Sequence, residues 1–392
     1  MQSQYVRIER SSHFLIAFVV LSLSFVLLSC TKADGRPKVT NIHRLNVVDE
    51  DAESAKQPLS SVLNLDFNKE TSWWTWREIL LSRLRHHQFQ DIDQFADEVR
   101  QTRARFPGGA WKLSAIYDNT NEPSAGSDVT EEEWQAHLKL FEEWIAKYPS
   151  SPTARAGYAE SWVRYAWHGR GAGWARDLNS TQKQLFAERL KRAKETADEA
   201  LSLGMRCPQL YSVLLSVGQG QSWSRMEYDH VFQAAIAYEP LYRSFYHNKG
   251  TYLSPRWFGR EGDWEAFAVD TADRLGGDAG ADMFFFIYSD MASFYYGERD
   301  LPRLVRPVWS RLRDGFDARE RLHGVTADQR TVFGHYAYLA GDKARVQTVL
   351  DKLGDHWNQG LWGALQRDQL LTWAAADSDK QARADFSLRH SN

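Results

Sequence analysis

Phe186-Ala187-Glu188-Arg189-Leu190-Lys191-Arg192-Ala193-Lys194-Glu195-Thr196-Ala197-Asp198-Glu199-Ala200-Leu201 decides the fold class. Its apolar and small positions, Phe186, Leu190, Ala193, Ala197, Ala200 and Leu201, recur at i, i+4, i+7, i+11, i+14 and i+15, which is one face of a helix. Gly204 follows where a helix ends on left-handed backbone. Upstream, Tyr158, Trp162, Tyr165 and Ala166 repeat the spacing. Downstream, Val346, Val349, Leu350 and Leu353 do so, with Asp342 as the expected N-cap and Gly354 closing the helix. Alternating β-branched runs are nearly absent, and Asp314-Gly315 reads as an interruption in a helical stretch rather than a hairpin turn. The class expected is all-α.

A single compact core stops growing near ~250–300 residues, and the folded body here is about 330, so two domains or a solenoid are expected. The joins favour a solenoid. Ala235-Ile236 before Tyr238-Glu239-Pro240-Leu241-Tyr242 resembles the close of a tetratricopeptide (TPR) repeat, in which a small-apolar pair ends one unit and Pro opens the next. Ala200-Leu201 before Cys207-Pro208-Gln209-Leu210-Tyr211 is a longer copy, and Trp144 before Tyr148-Pro149 a looser one. Pro208 and Pro240 are 32 residues apart. Pro149 and Pro208 are 59 apart, so that unit is expected to carry an insertion near 168–181. The expected architecture is a TPR-like right-handed superhelix of antiparallel helix pairs. Its divisions are a signal at 1–29, a tether at 30–60, an N-terminal helical region at 61–150, the TPR-like core at 151–320 and C-terminal pairs at 321–392.

The composition is that of a globular chain: 392 residues, 43% hydrophobic, 25% charged, with 16 Trp but only 2 Cys. A net charge of -3 argues against a general nucleic-acid binder. Arg7 and Arg10 precede the apolar stretch Phe14–Leu28. Fifteen helical residues reach only ~22 Å, short of a ~30 Å bilayer core, so the segment reads as an export signal. It ends Leu27-Leu28-Ser29-Cys30, which resembles the lipobox of bacterial lipoproteins. Cys30 is then the lipidated residue. Thr31 after it resembles the outer-membrane pattern, facing the periplasm. An ordinary signal peptide or an uncleaved anchor is the competing reading. Buried acyl chains contribute about 0.8 kcal/mol per CH2 to membrane retention. Cys207 would be the one thiol left, and a buried structural role is expected for it.

Two segments carry a narrower likeness. Tyr165-Ala166-Trp167-His168-Gly169-Arg170-Gly171-Ala172-Gly173-Trp174-Ala175 is one. Pro255-Arg256-Trp257-Phe258-Gly259-Arg260-Glu261-Gly262-Asp263-Trp264-Glu265-Ala266-Phe267-Ala268 is the other. With Phe106-Pro107-Gly108-Gly109 before Trp111-Lys112-Leu113, they resemble the bacterial family called domain of unknown function 4034, over about Trp76–Gly315. That resemblance implies a TPR-like fold and transfers no catalytic residue. His168 departs from the pattern. In the second segment Asp263 is expected to cap a helix beginning at Trp264, with Arg256, Trp257 and Arg260 on the preceding turn. An Arg–Trp turn can hold a carboxylate or stack on a flat group; it can equally be an internal ion pair with Trp257 plugging a gap between units.

Known chemistry is sparse. No His-Glu-x-x-His or paired Cys-x-x-Cys occurs, so no metal and no cofactor are expected. Gly169–Gly173 lacks the Lys-Ser/Thr of a phosphate loop and reads as the start of the insertion, with Arg170 and free amides as an alternative anion site. Glu160-Ser161 matches part of a lytic transglycosylase pattern without the segment that should follow, so Glu160 reads as an exposed helix residue. Trp73, Trp74 and Trp76 read as packing for the first helix. The Arg-rich run Arg77–Arg105 reads as a solvated face. The function expected is a membrane-anchored envelope lipoprotein that binds an envelope protein or peptide, without catalysis. Candidate contacts are Tyr165, Arg170, Tyr211, Tyr242, Tyr246, Arg256 and Trp257. The alternative is a peptidoglycan- or glycan-acting enzyme with Glu160 or Glu261 as general acid. A spacer with no ligand is a third reading.

Overall fold

A computed structural model of the chain describes Leu59 and residues 70–124, 129–171, 175–296, 300–357 and 366–376, with backbone alone at 70–74, 175 and 294. Cys30, the expected signal, nearly all of the tether and the side chains of Trp73 and Trp74 lie outside the described residues. The described residues are helical, with an isolated Arg105–Trp111 bridge as their one β pairing. The all-α class is therefore as expected.

The first three helices are α1 Glu70–Arg85, α2 Phe89–Thr102 and α3 Lys112–Thr120. Trp76, Leu80 and Leu84 bury one face of α1; Phe89, Ile92, Phe95, Ala96 and Val99 bury one face of α2. The Trp76 indole donates to the Ala115 carbonyl of α3 (3.3 Å). The run expected to be a solvated Arg face is partly the reverse, since Arg77 and Arg83 are buried. Charge interleaving reports composition, not which side of the helix meets a neighbour.

Next come α4 Glu131–Lys147, α5 Pro152–Arg170 and α6 Ser180–Ser202. Thr130 and Glu133 close a capping box on α4, and Asn179 and Gln182 close one on α6. Ser151 caps α5, with Pro152 at its first turn. Leu190, Ala193, Ala197 and Ala200 of the deciding stretch are wholly buried, with Phe186 and Leu201 packed beside them. Small residues let α5 approach both its neighbours closely: a Cβ on Gly157 would meet the Phe141 ring of α4, and one on Gly169 would meet the Arg189 guanidinium of α6. The extra length between Pro149 and Pro208 lies mainly in these two long helices, of 19 and 23 residues, and only secondarily in the link between them.

The chain continues through α7 Pro208–Gly220, α8 Arg225–Tyr238, α9 Arg243–Tyr252, α10 Asp263–Leu275 and α11 Gly277–Tyr295. It then forms α12 Leu301–Val305, α13 Trp309–His323, α14 Ala327–Ala340 and α15 Lys343–Leu353. A further helix covers 367–376. Phe284, Phe285, Phe286, Ile287 and Tyr288 are all buried, as an all-round apolar helix must be. Gly315 does not interrupt α13. It lies inside the helix, where a Cβ would run into the Ala281 carbonyl of α11, so the glycine permits a close crossing. Asp342 caps α15 as expected (Arg345 N donates to Oδ1, 3.0 Å).

Alternate helices form one row. α5 packs on α3 and α7, α7 on α9, α9 on α11, and α11 on α13. α6, α8 and α10 each lean on the two row members that flank them in sequence. One buried cluster runs from Leu59 to Leu353. A long-range strap departs from this neighbour-to-neighbour pattern. The 103–111 segment joins α2 to α3, yet Gly108 N donates to Gly324 O (2.8 Å) and the Trp111 indole to Leu241 O (2.8 Å).

Candidate functional site

Trp167 and Arg170 lie in the last turn of α5. The Trp167 ring meets Phe186 of α6 edge-on (4.9 Å between centroids), and the Arg170 guanidinium sits over both rings, at 5.1 Å and 5.6 Å. The 253–262 turn approaches from α9. Phe258 N donates to Tyr252 O (3.1 Å) and Gly259 N to Ser254 O (3.2 Å). A Cβ at Gly259 would collide with the Leu253 carbonyl, so the turn closes only with glycine. It sets half-buried Trp257 edge-to-face on Trp167, 5.7 Å between centroids, with exposed Arg256 beside it. Burial first, and then the charge of Arg256, push the Arg170 pKa down, so the two guanidiniums share one corner. Asp263 is not the cap expected for α10. It is the first residue of the helix after Gly262, and its carboxylate accepts from Arg260 N (3.1 Å), bracing the turn.

Arg170, Arg256 and Trp257 are thus brought together; the tyrosines are not. Tyr165 is buried, stacked on Trp134 (5.0 Å) beneath the Arg189 guanidinium (3.3 Å). Tyr242 and Tyr246 are wholly buried. Their hydroxyls donate to Gln209 Oε1 (2.6 Å) and to the Pro240 carbonyl (2.5 Å). Tyr211 is half-buried against Tyr238 and Phe245. As groove contacts Tyr165, Tyr242 and Tyr246 are corrected: a phenol whose hydroxyl finds an internal partner, as Tyr165 does in accepting from Gln135 Nε2 (3.1 Å), fills space between helices as readily as it faces a ligand.

Between successive helices of the row lie charges that local sequence did not reveal. Glu160 is buried, not exposed; it accepts from Gln209 Nε2 (3.0 Å) and pairs with Arg164 (3.5 Å). Arg164 of α5 also faces Asp118 (3.8 Å) and Glu122 (3.9 Å) of α3 or its end. Burial raises the Asp118 carboxyl to about 7, Arg164 opposing and Glu160 reinforcing the shift. His247 of α9 pairs with Asp290 of α11 (2.6 Å). Burial disfavours its charge, but Asp290 more than compensates and its pKa is raised. These partners lie 43 and 49 residues apart in two of the pairs, on successive row members, so no local motif announces them.

A second ionic cluster sits under the strap. Arg243 donates to Gly108 O and, with Arg319, to Asp282 (2.6 and 2.8 Å). Burial disfavours the Asp282 charge, yet the two guanidiniums outweigh it and hold the carboxyl far below its ordinary range. Arg105, over the Trp111 ring at 4.5 Å, is lowered to about 10 by burial and by Arg243. Cys207 is buried with its Sγ 3.1 Å from the Tyr117 hydroxyl, the structural role expected.

Among the described residues no group of three or more His, Cys, Asp or Glu is placed to hold a metal ion, and no helix is long and apolar enough to cross a membrane. Comparison with family models, with curated proteins and with solved structures finds no match to this chain.

Proposed function

We propose that the chain is an envelope lipoprotein, anchored through Cys30, whose TPR-like stack of helices binds a protein or peptide partner without catalysis. The observation that carries this reading is the corner of Trp167, Arg170, Arg256 and Trp257. Two guanidiniums beside two indoles that touch edge-to-face form a partly exposed cradle for a carboxylate of a partner segment. The row of alternate helices supports the solenoid reading. The two long segments that resemble the domain of unknown function 4034 family are the two that meet at this corner. The glycan-acting alternative has the burial of Glu160 in its favour, but Glu160 is engaged by Arg164 and Gln209, and Glu261 is exposed.

In-cell crosslinking of the full-length protein, beside an Arg256→Ala/Trp257→Ala variant of equal stability, tests the binding surface. A partner captured by the parent and lost from the variant is the expected result. Identical captures from both would remove the corner from the interface. Anchoring is read separately: Cys30→Ala is expected to abolish metabolic palmitate labelling and to shift the protein out of the membrane fraction. Labelling that persists would overturn the lipid attachment.

A further inference from the structure

The corner belongs to a longer aromatic ledge. Ring follows ring from Phe186 to Trp167 (4.9 Å between centroids), to Trp257 (5.7 Å), to Phe258 (6.3 Å) and on to buried Tyr252 (4.8 Å). Phe186, Trp167 and Trp257 are half-buried, and Phe258 is 41% exposed. The backbone under Phe258 is braced. Its N donates to Tyr252 O (3.1 Å), and Gly259 beside it has no room for a Cβ against Leu253. An apolar ring is therefore presented to water from a closed turn, two positions after Arg256.

Single apolar side chains at a surface need no explanation, but here they converge. Among the described residues the large hydrophobic side chains left exposed are Leu185, Leu203, Met226, Phe258 and Leu322. Three of these belong to segments that meet at the ledge. Leu185 directly precedes Phe186 in α6. Met226 lies in the first turn of α8, two residues before Tyr228, whose ring stacks on Tyr252 (3.9 Å). The Trp223 carbonyl, just ahead of α8, accepts from the Tyr252 hydroxyl (2.8 Å). The same surface is cationic, with the Arg170 guanidinium over Trp167 and Phe186 and Arg256 close by. A guanidinium carries five donors, so it can take a carboxylate beside the internal contacts it makes. A carboxylate alone would leave the Phe258 ring in water. An apolar side chain alone would press carbon against two charged groups, which is costly. Aromatic rings joined to arginines are the surface that concentrates binding energy in protein interfaces.

Resting on the peptide-binding reading above, we infer that the ledge selects one kind of partner: a protein segment in which a carboxylate lies within three positions of a large apolar side chain. The carboxylate meets Arg170 and Arg256, and the apolar side chain covers Phe258 beside Trp257. Arg256 and Phe258 are two residues apart, and a chain advances at most about 3.6 Å per residue, so a spacing of one to three positions bridges them. An Asp or Glu side chain and a chain's terminal carboxylate offer the same chemistry here.

Selection of a phage-displayed random heptapeptide library on the full-length chain tests this, with the peptides displayed once with a blocked and once with a free C-terminus. Peptides that pair a carboxylate with Phe, Trp, Tyr, Leu or Met within three positions are expected to be enriched at least about tenfold over the input library. Enrichment in both formats assigns the carboxylate to a side chain, and enrichment in the free format alone assigns it to a chain end. Synthetic copies of the enriched peptides should bind Phe258→Ser at least about tenfold more weakly, while Phe258→Leu, which keeps an apolar surface, retains them. Acids enriched without an apolar neighbour, or peptides bound equally by Phe258→Ser, would leave the two-arginine cradle standing and overturn the ledge. Apolar residues enriched without a carboxylate would overturn both. No enrichment would also overturn the ledge, and purified peptidoglycan retained by the parent but not by Arg256→Ala/Trp257→Ala would then give the surface to a glycan. If Phe258→Ser fails to fold, the peptides selected by the unaltered protein decide.

Discussion

At Asp118 the environment of one carboxyl becomes a pH dependence of the whole fold. Its folded pKa is raised to about 7, so between pH ~4 and ~7 the native state keeps a proton that the unfolded chain has lost. Stability from this group therefore falls as pH rises through that window and levels off above it. Asp118→Asn removes the dependence. Urea melts of parent and variant should diverge in the variant's favour from pH 4 to 7, by on the order of 1 kcal/mol per pH unit. Parallel profiles would show that Asp118 ionises freely. Gly259 is the second residue whose effect is set locally. Alanine there must displace the Leu253 carbonyl, and thermal melts should report a loss on the order of 3 kcal/mol. Residue identity alone betrayed neither effect. The glycine pair Gly259 and Gly262 could be read as a turn, but which backbone lay against it could not.

Helices and their ends were the most legible level. The periodic stripe of α6, the Asp342 cap of α15 and the burial of Val346, Val349, Leu350 and Leu353 follow from spacing, because a helix presents fixed faces whatever surrounds it. The failures occur where a neighbour decides. Gly315 looked like a break and is a crossing point of α11 and α13; Asp263 looked like a cap and is a brace. The 103–111 strap is the clearest case. Gly108 and Gly109 both have positive φ, +84° and +82°, and a Cβ on Gly109 would strike Arg243 and His323. Gly109→Ala should strain the strap and pull Arg243 from Asp282, at a cost of about 3–5 kcal/mol in denaturant melts, the scale of breaking a buried ion pair. A loss below about 0.5 kcal/mol would mean the strap is not under constraint.

For the molecule as a whole, the strap changes what kind of stack this is. Repeats that touch only their neighbours can melt from one end. Here the 107–109 segment holds residues 324 and 329, through Gly324 O and the Gln329 side chain, so the ends of the row are tied. The parent is expected to unfold in one transition by both tryptophan fluorescence and far-UV circular dichroism. Gly109→Ala should separate the two probes. Separate transitions already present in the parent would show that the tie carries no cooperativity.

The all-α class, the helix stripes, several caps, the structural role of Cys207 and the Arg–Trp turn came from the amino-acid sequence by itself. Each depends on neighbours within a few positions along one chain segment. Which tyrosines are core, why Glu160 is buried, the strap, and the row of Asp118, Arg164, His247 and Asp290 came only with the tertiary structure. Those features join side chains tens of residues apart on separate helices, and helical periodicity specifies a face without specifying what that face will meet.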